Sequence, residues 1–124
     1  MTTALVAAPY PRGNCNLKRN CDFYARVNIG ASGAPTVVFG PEGFTLSGGG
    51  ADGVYTGTMP TGDRGVGFAQ IFEATPLGKF VSFSAFDAAA GTFSIVVNHG
   101  DLTAVGEDPA DGDALFFHFA IEGG

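Results

Sequence analysis

Apolar and polar residues alternate along most of this chain with a period of two. Across 22–29, Phe23, Ala25, Val27 and Ile29 fall on one side, and Tyr24, Arg26 and Asn28 on the other. That is the period of a strand with one buried face. The same reading predicts strands over 36–39, 44–47, 54–59, 66–75, 79–86, 93–98 and 114–121. Turn chemistry separates them, from Gly30-Ala-Ser-Gly33 and Gly40-Pro-Glu-Gly43 to Gly48–Gly53 and Pro76-Leu-Gly78. Asp87–Gly91 is too short for a helix, and no other segment carries a helical period. The pattern predicts an all-β fold: an antiparallel β-sandwich or jelly roll of about eight short strands, preceded by an extended N-terminal arm.

Several of these strands are apolar on both faces. In 79–86, alternation puts Phe80 and Phe86 on one side and Val81, Phe83 and Ala85 on the other. In 66–75, Val66, Phe68, Phe72 and Ala74 share a side with Gln70, opposite Ala69 and Ile71. In 114–121, Leu115, Phe117, Phe119 and Ile121 form the main core face, while Phe116 and Ala120 flank His118 on the reverse. A sheet apolar on both faces has to cover both, and no helix is predicted to do it. Burial against another subunit is the economical solution, since each fully buried Phe or Val contributes roughly 1.5–3 kcal/mol. Ile71, Phe83, Phe116 and His118 are the residues expected at such an interface. A wider sandwich with a few exposed apolar residues is the plainer alternative.

A length of 124 residues suits one domain, which buries about two-thirds of its unfolded surface. Twelve Phe and no Trp put aromatic bulk into its core, and twenty Gly without a Gly-X-Y period exclude collagen. Charge then divides the chain. Residues 1–21 hold Arg12, Lys18 and Arg19 and no acid, whereas 22–124 holds Arg26, Arg64 and Lys79 against all twelve Asp and Glu. The expected organisation is a basic docking arm, 1–21, and an acidic β-sandwich domain, 22–124. An acidic body disfavours nucleic acid as a partner. No apolar run approaches the roughly 20 residues of a membrane helix. The apolar start, Met1–Pro9, lacks a positive leading region and reads as part of the arm, not as a secretion signal, which places folding in a cytoplasm.

The chemistry-bearing residues point away from a reaction centre. Cys15 and Cys21 are compatible with free thiols in a reducing cytoplasm or with a disulfide formed after release, which contributes about 2.4 kcal/mol in the chain-entropy model. No second Cys pair or nearby His completes a zinc tetrahedron. Glu107 and Asp108-Pro-Ala-Asp-Gly-Asp113 gather hard oxygen ligands without the spacing of a calcium loop, and read as a solvated acidic turn. Gly48–Gly53 lacks the Gly-Lys-Ser/Thr ending of a phosphate loop. His99 and His118 stand at no motif spacing from a Ser or Cys nucleophile. His118 therefore reads as a packed or interface histidine. No cofactor, metal or catalytic set is expected. Tyr24, Tyr55 and Phe116 are the aromatics best suited to stack on a sugar.

The order of elements resembles small virion proteins of tailed bacteriophages. The matching stretches are Phe23-Tyr-Ala-Arg-Val-Asn-Ile-Gly-Ala-Ser-Gly-Ala-Pro-Thr, then Gly53-Val-Tyr-Thr-Gly-Thr-Met-Pro60, and the acidic turn running into Ala114-Leu-Phe-Phe-His-Phe-Ala-Ile121. Position 57 departs from the pattern, with Gly where a β-branched residue is expected. The resemblance implies a non-enzymatic jelly-roll knob, typically a homotrimer, that serves as a capsid decoration (cement) protein. Its partners would be copies of itself and the major capsid protein or another virion protein, and its place the virion, after synthesis in the host cytoplasm. Arg12, Lys18 and Arg19 would dock the arm on the head. A tail or head fibre tip and a carbohydrate- or receptor-binding module are the alternative roles.

Overall fold

The computed structural model describes residues 13–16, 20–49, 52–98 and 107–123. Among them are nine strands: β1 (Gly13–Asn16), β2 (Asn20–Ile29), β3 (Pro35–Phe39), β4 (Thr45–Gly48), β5 (Val54–Thr58), β6 (Arg64–Phe72), β7 (Phe80–Asp87), β8 (Thr92–Asn98) and β9 (Ala114–Glu122). All pairings are antiparallel. One sheet runs β1-β2-β9-β6, with β3 also on β2; the other runs β4-β5-β8-β7. The two pack as a β-sandwich, and every strand predicted from alternation is present within a few residues.

The segment 1–21 needs revision where it is described. Gly13–Asn16 is a strand, and β2 begins at Asn20, so the first sheet takes in part of what alternation left as an arm. The physical reason is a hairpin that carries no hydrophobic period of its own. Cys15 stands opposite Cys21 in its register, and Cys21 is disulfide-bonded. β1 pairs with 20–23 of β2 and β3 with 26–29, so the two lie end to end along one edge of β2.

The core is filled by the inward residues of both sheets. Ala25, Val27 and Ile29 come from β2, and Leu115, Phe117, Phe119 and Ile121 from β9. Phe93, Ile95 and Val97 of β8 meet them from the other sheet. Phe93 packs on Phe119 at 5.2 Å and on Phe117 at 5.6 Å between ring centres, within the range of favourable tilted aromatic pairs. Gly57 is explained here. A Cβ at that inward position of β5 would run into the Thr45 backbone carbonyl and stand 2.6 Å from Phe93 Cζ, so the neighbouring strand and the ring together take the space a β-branched residue would need.

Ile71 and Phe83, expected at an interface, are partly buried and pack against this core. Phe83 and Phe86 both pack inward, because the β7–β8 register shifts between Phe83 and Ala85. The bulge adds a residue and reverses the alternation that had placed them on opposite faces. Ile71 also packs on the core, together with Ala69, so β6 turns Val66, Phe68 and Phe72 outward.

Acidic side chains fold the connections. β6 ends at Phe72, short of the predicted 75, because Glu73 turns the chain by accepting the backbone N–H groups of Leu77 (3.1 Å), Gly78 (3.0 Å) and Lys79 (3.2 Å). Asp113 is buried, and its carboxylate accepts from Ala74 N and Ala110 N, each at 2.8 Å. Asp108 accepts from Gly53 N at 2.9 Å. The turn read as a solvated acidic cluster is thus partly an internal clamp. Among the described residues no group of three His, Cys, Asp or Glu is placed to hold a metal ion.

Tyr55 is fully buried, against its reading as an exposed sugar platform, and its hydroxyl donates to Gly33 O at 2.6 Å. Burial, with the negative charges of Asp108 and Asp52, raises its pKa above the ordinary tyrosine range. The folded state therefore keeps a proton that the unfolded chain loses near pH 10 (about the free-tyrosine value), so its contribution to stability is present below that pH and falls above it. Tyr55→Phe is expected to cost about 1–2 kcal/mol in urea denaturation at neutral pH, by leaving the buried Gly33 carbonyl unpaired. The cost should shrink as pH is raised through and beyond 10, because the variant has no phenol to ionise.

Candidate functional site

The two outer faces of the sandwich differ in chemistry. On the second sheet, the rows Thr45–Thr58–Thr92 and Ser47–Thr56–Ser94 run across β4, β5 and β8. These hydroxyls bond to each other and to the backbone, as in the 2.7 Å Thr45–Thr58 contact and the 2.6 Å bond from Thr58 Oγ1 to Gly43 O. Val54 and Phe80 are exposed at one end of that face. The first sheet presents the opposite character over β2, β9 and β6.

Register brings three rows together on this first outer face: Asp22–Ala120–Val66, Tyr24–His118–Phe68, and Arg26–Phe116–Gln70. Its side chains are large and open to solvent, with Tyr24 at 45%, Val66 at 53%, Phe68 at 56% and Phe72 at 50% exposure. Single exposed apolar residues are ordinary; a contiguous aromatic patch marks an interaction surface. The rings are already ordered. Tyr24 stacks on His118 at 4.6 Å with planes 16° apart, and Phe68 approaches His118 from the other side at 5.5 Å. Phe72 meets Phe116 edge-on at 4.9 Å.

Charges are fixed at the margins of the patch. His118 Nε2 donates to Asp22 Oδ1 at 3.0 Å, which leaves the carboxylate as acceptor. The Arg26 guanidinium lies 5.2 Å from the Phe116 ring centre, in cation–π range, while its Nε donates to Asn28 Oδ1 at 3.2 Å. Arg64 Nε and Glu122 Oε1 form an exposed ion pair at 2.6 Å. Two shallow hollows open on the face. One, of about 400 Å³, lies over Gly65, Val66, Ala120 and Asp22. The other, of about 220 Å³, lies between Tyr24, Phe68, Gln70 and Phe116.

Of the residues singled out from the sequence, the structure brings Phe116 and His118 together on this face, while Ile71 and Phe83, partly buried, pack against the core. Arg12, Lys18, Arg19 and His99 lie outside the described residues. Asp22, Arg26, Val66, Phe68 and Phe72 belong to the patch but were not marked as site residues. For Asp22 and Arg26 the signal lay in the outward parity of β2, which sets them two positions either side of Tyr24; for Val66, Phe68 and Phe72 it lay in the alternation of β6. No family model, curated protein or solved structure matches the chain.

The geometry offers a surface for apolar and aromatic contact. Because the patch is not needed to hold the fold, Phe68→Ser is expected to change the unfolding free energy by no more than about 0.5 kcal/mol. Phe119→Ala, on the opposite side of the same sheet, should cost about 3–5 kcal/mol. Urea denaturation at high dilution checks the contrast; an equal cost would mean that Phe68 belongs to the folding core.

Proposed function

We propose that this chain is a non-enzymatic structural protein of a bacteriophage virion, a capsid decoration protein that docks through its N-terminal arm and associates with its own kind through the β body. The observation that carries the binding half of this reading is the aromatic outer face of β2, β9 and β6, left open by a sandwich whose other outer face is rich in hydroxyls. The virion half rests on the resemblance of the strand and turn succession over 23–121 to small phage virion proteins. Three further features support it. Glu73, Asp108 and Asp113 are committed to backbone hydrogen bonds and serve architecture. A disulfide at Cys21 suits a protein that ends in an oxidising medium, as a released particle does. The basic residues of 1–21 oppose the charge of the acidic body.

In this role each arm contact is weak, and linking the copies raises their effective concentration on the lattice. Binding only the assembled shell then stabilises it by mass action. Because β1 and the start of β2 belong to the sheet, the arm is tested by removing 1–12 and changing Lys18→Glu and Arg19→Glu, which keeps the hairpin. The expected result is a protein with an unchanged far-ultraviolet β spectrum that no longer co-sediments with capsids assembled without it. Undiminished co-sedimentation would overturn the docking role of the arm.

A further inference from the structure

We infer that the outer face of β2, β9 and β6 is a two-fold self-complementary surface whose occupant is a second copy of this chain. The inference rests on the reading that the β body self-associates and specifies the symmetry. The middle row, Tyr24–His118–Phe68, has one row on either side of it: Asp22–Ala120–Val66 and Arg26–Phe116–Gln70. Stack a second copy face to face, with a two-fold axis lying between the sheets along that middle row. Each flanking row then lies against the other flanking row of the second copy.

Of the three resulting pairs one matches in charge and one in size, and the third sets Val66 against the stem of Gln70. Asp22 faces Arg26 of the second copy, and Arg26 faces its Asp22, so two opposite-charge pairs form from one surface. Ala120, the smallest residue of the patch, faces Phe116, one of its largest. The hollow of about 400 Å³ lies over Ala120, Gly65 and Val66, where the Phe116 ring of the second copy would enter. One row further out, Arg64 of β6 faces the exposed Phe72 ring, a cation–π pairing. The middle row meets its own equivalents, as an isologous contact requires. A surface built for an unrelated partner has no reason to place opposite charges and a knob and hollow symmetrically about one of its own rows.

The size of the face sets how firmly the copies hold. Three strands about 4.8 Å apart and nine residues long give a flat footprint of roughly 14 by 30 Å. That is below the roughly 800 Å² per partner of a standard stable interface. The expected species is therefore a dimer that forms at high concentration and dissociates on dilution.

Sedimentation velocity over a range of concentrations tests this on the full chain. The wild type should pass from monomer to dimer with no trimer. Asp22→Arg and Arg26→Asp should each weaken the dimer at least tenfold, since each places like charges opposite one another. The double variant, D22R with R26D, restores opposite charges across the axis and should dimerise more tightly than either single variant. Ala120→Phe fills the hollow and should abolish dimerisation without a charge change, its fold being checked by circular dichroism. A trimer would overturn the two-fold geometry and leave self-association standing. A monomer at every concentration would overturn both, while the docking arm is judged separately by capsid co-sedimentation. A double variant no better than the singles would also overturn the proposed pairing.

Discussion

Strand β9 is hydrogen-bonded along its whole length, to β2 on one side and to β6 on the other, and it carries apolar residues on both faces. Inward, Leu115, Phe117, Phe119 and Ile121 are all buried and meet the second sheet through Phe93, Phe83 and Phe86. Burying side chains of this size contributes roughly 1.5–3 kcal/mol each, so β9 is the largest single source of packing energy in the fold. The rest of the chain accommodates it. Gly67 lies where a Cβ would reach 2.7 Å from the Phe86 ring and 2.8 Å from the Phe83 ring, so any side chain there would force those rings to shift. Outward, no other layer among the described residues covers the same strand, and its Phe116 and His118 organise the patch formed with Tyr24 and Phe68.

The acidic composition serves two ends. Twelve Asp and Glu against six Lys and Arg give a net charge of −6, which favours solubility for a protein with an exposed aromatic face. Some of those acids also do structural work that water would otherwise do. Glu73 and Asp113 between them satisfy five backbone N–H groups in connections that have no ladder partner. Backbone donors outside the ladders need acceptors, and in these loops carboxylates supply them.

Alternation was enough to read the eight strands that carry a period, because each has one face in the core and a period of two has a single physical meaning. It failed where the determinant was not local. β1 has no hydrophobic period; it is held by pairing with β2 beside the disulfide-bonded Cys21. Phe83 and Phe86 share the core only through the bulge before Ala85, and a bulge leaves no mark on composition. For β6 both faces were apolar, so alternation showed that two faces existed and not which one met the core. Phe116 and His118 were legible because β9 has a stronger inward set to contrast with them. The charges at the margins, Asp22 and Arg26, became meaningful only once register set them in rows on either side of Tyr24.

The central claim is that the outer face of β2, β9 and β6 is covered when the protein does its work. Hydroxyl-radical footprinting of the full chain, read by mass spectrometry at high and at low protein concentration, tests it most directly. Phe68 and Phe72 should be protected at high concentration and labelled at low concentration, while Leu77 and Phe80, exposed elsewhere on the molecule, are labelled equally at both. Labelling of Phe68 and Phe72 that stays as strong as that of Leu77 at every concentration would contradict the account.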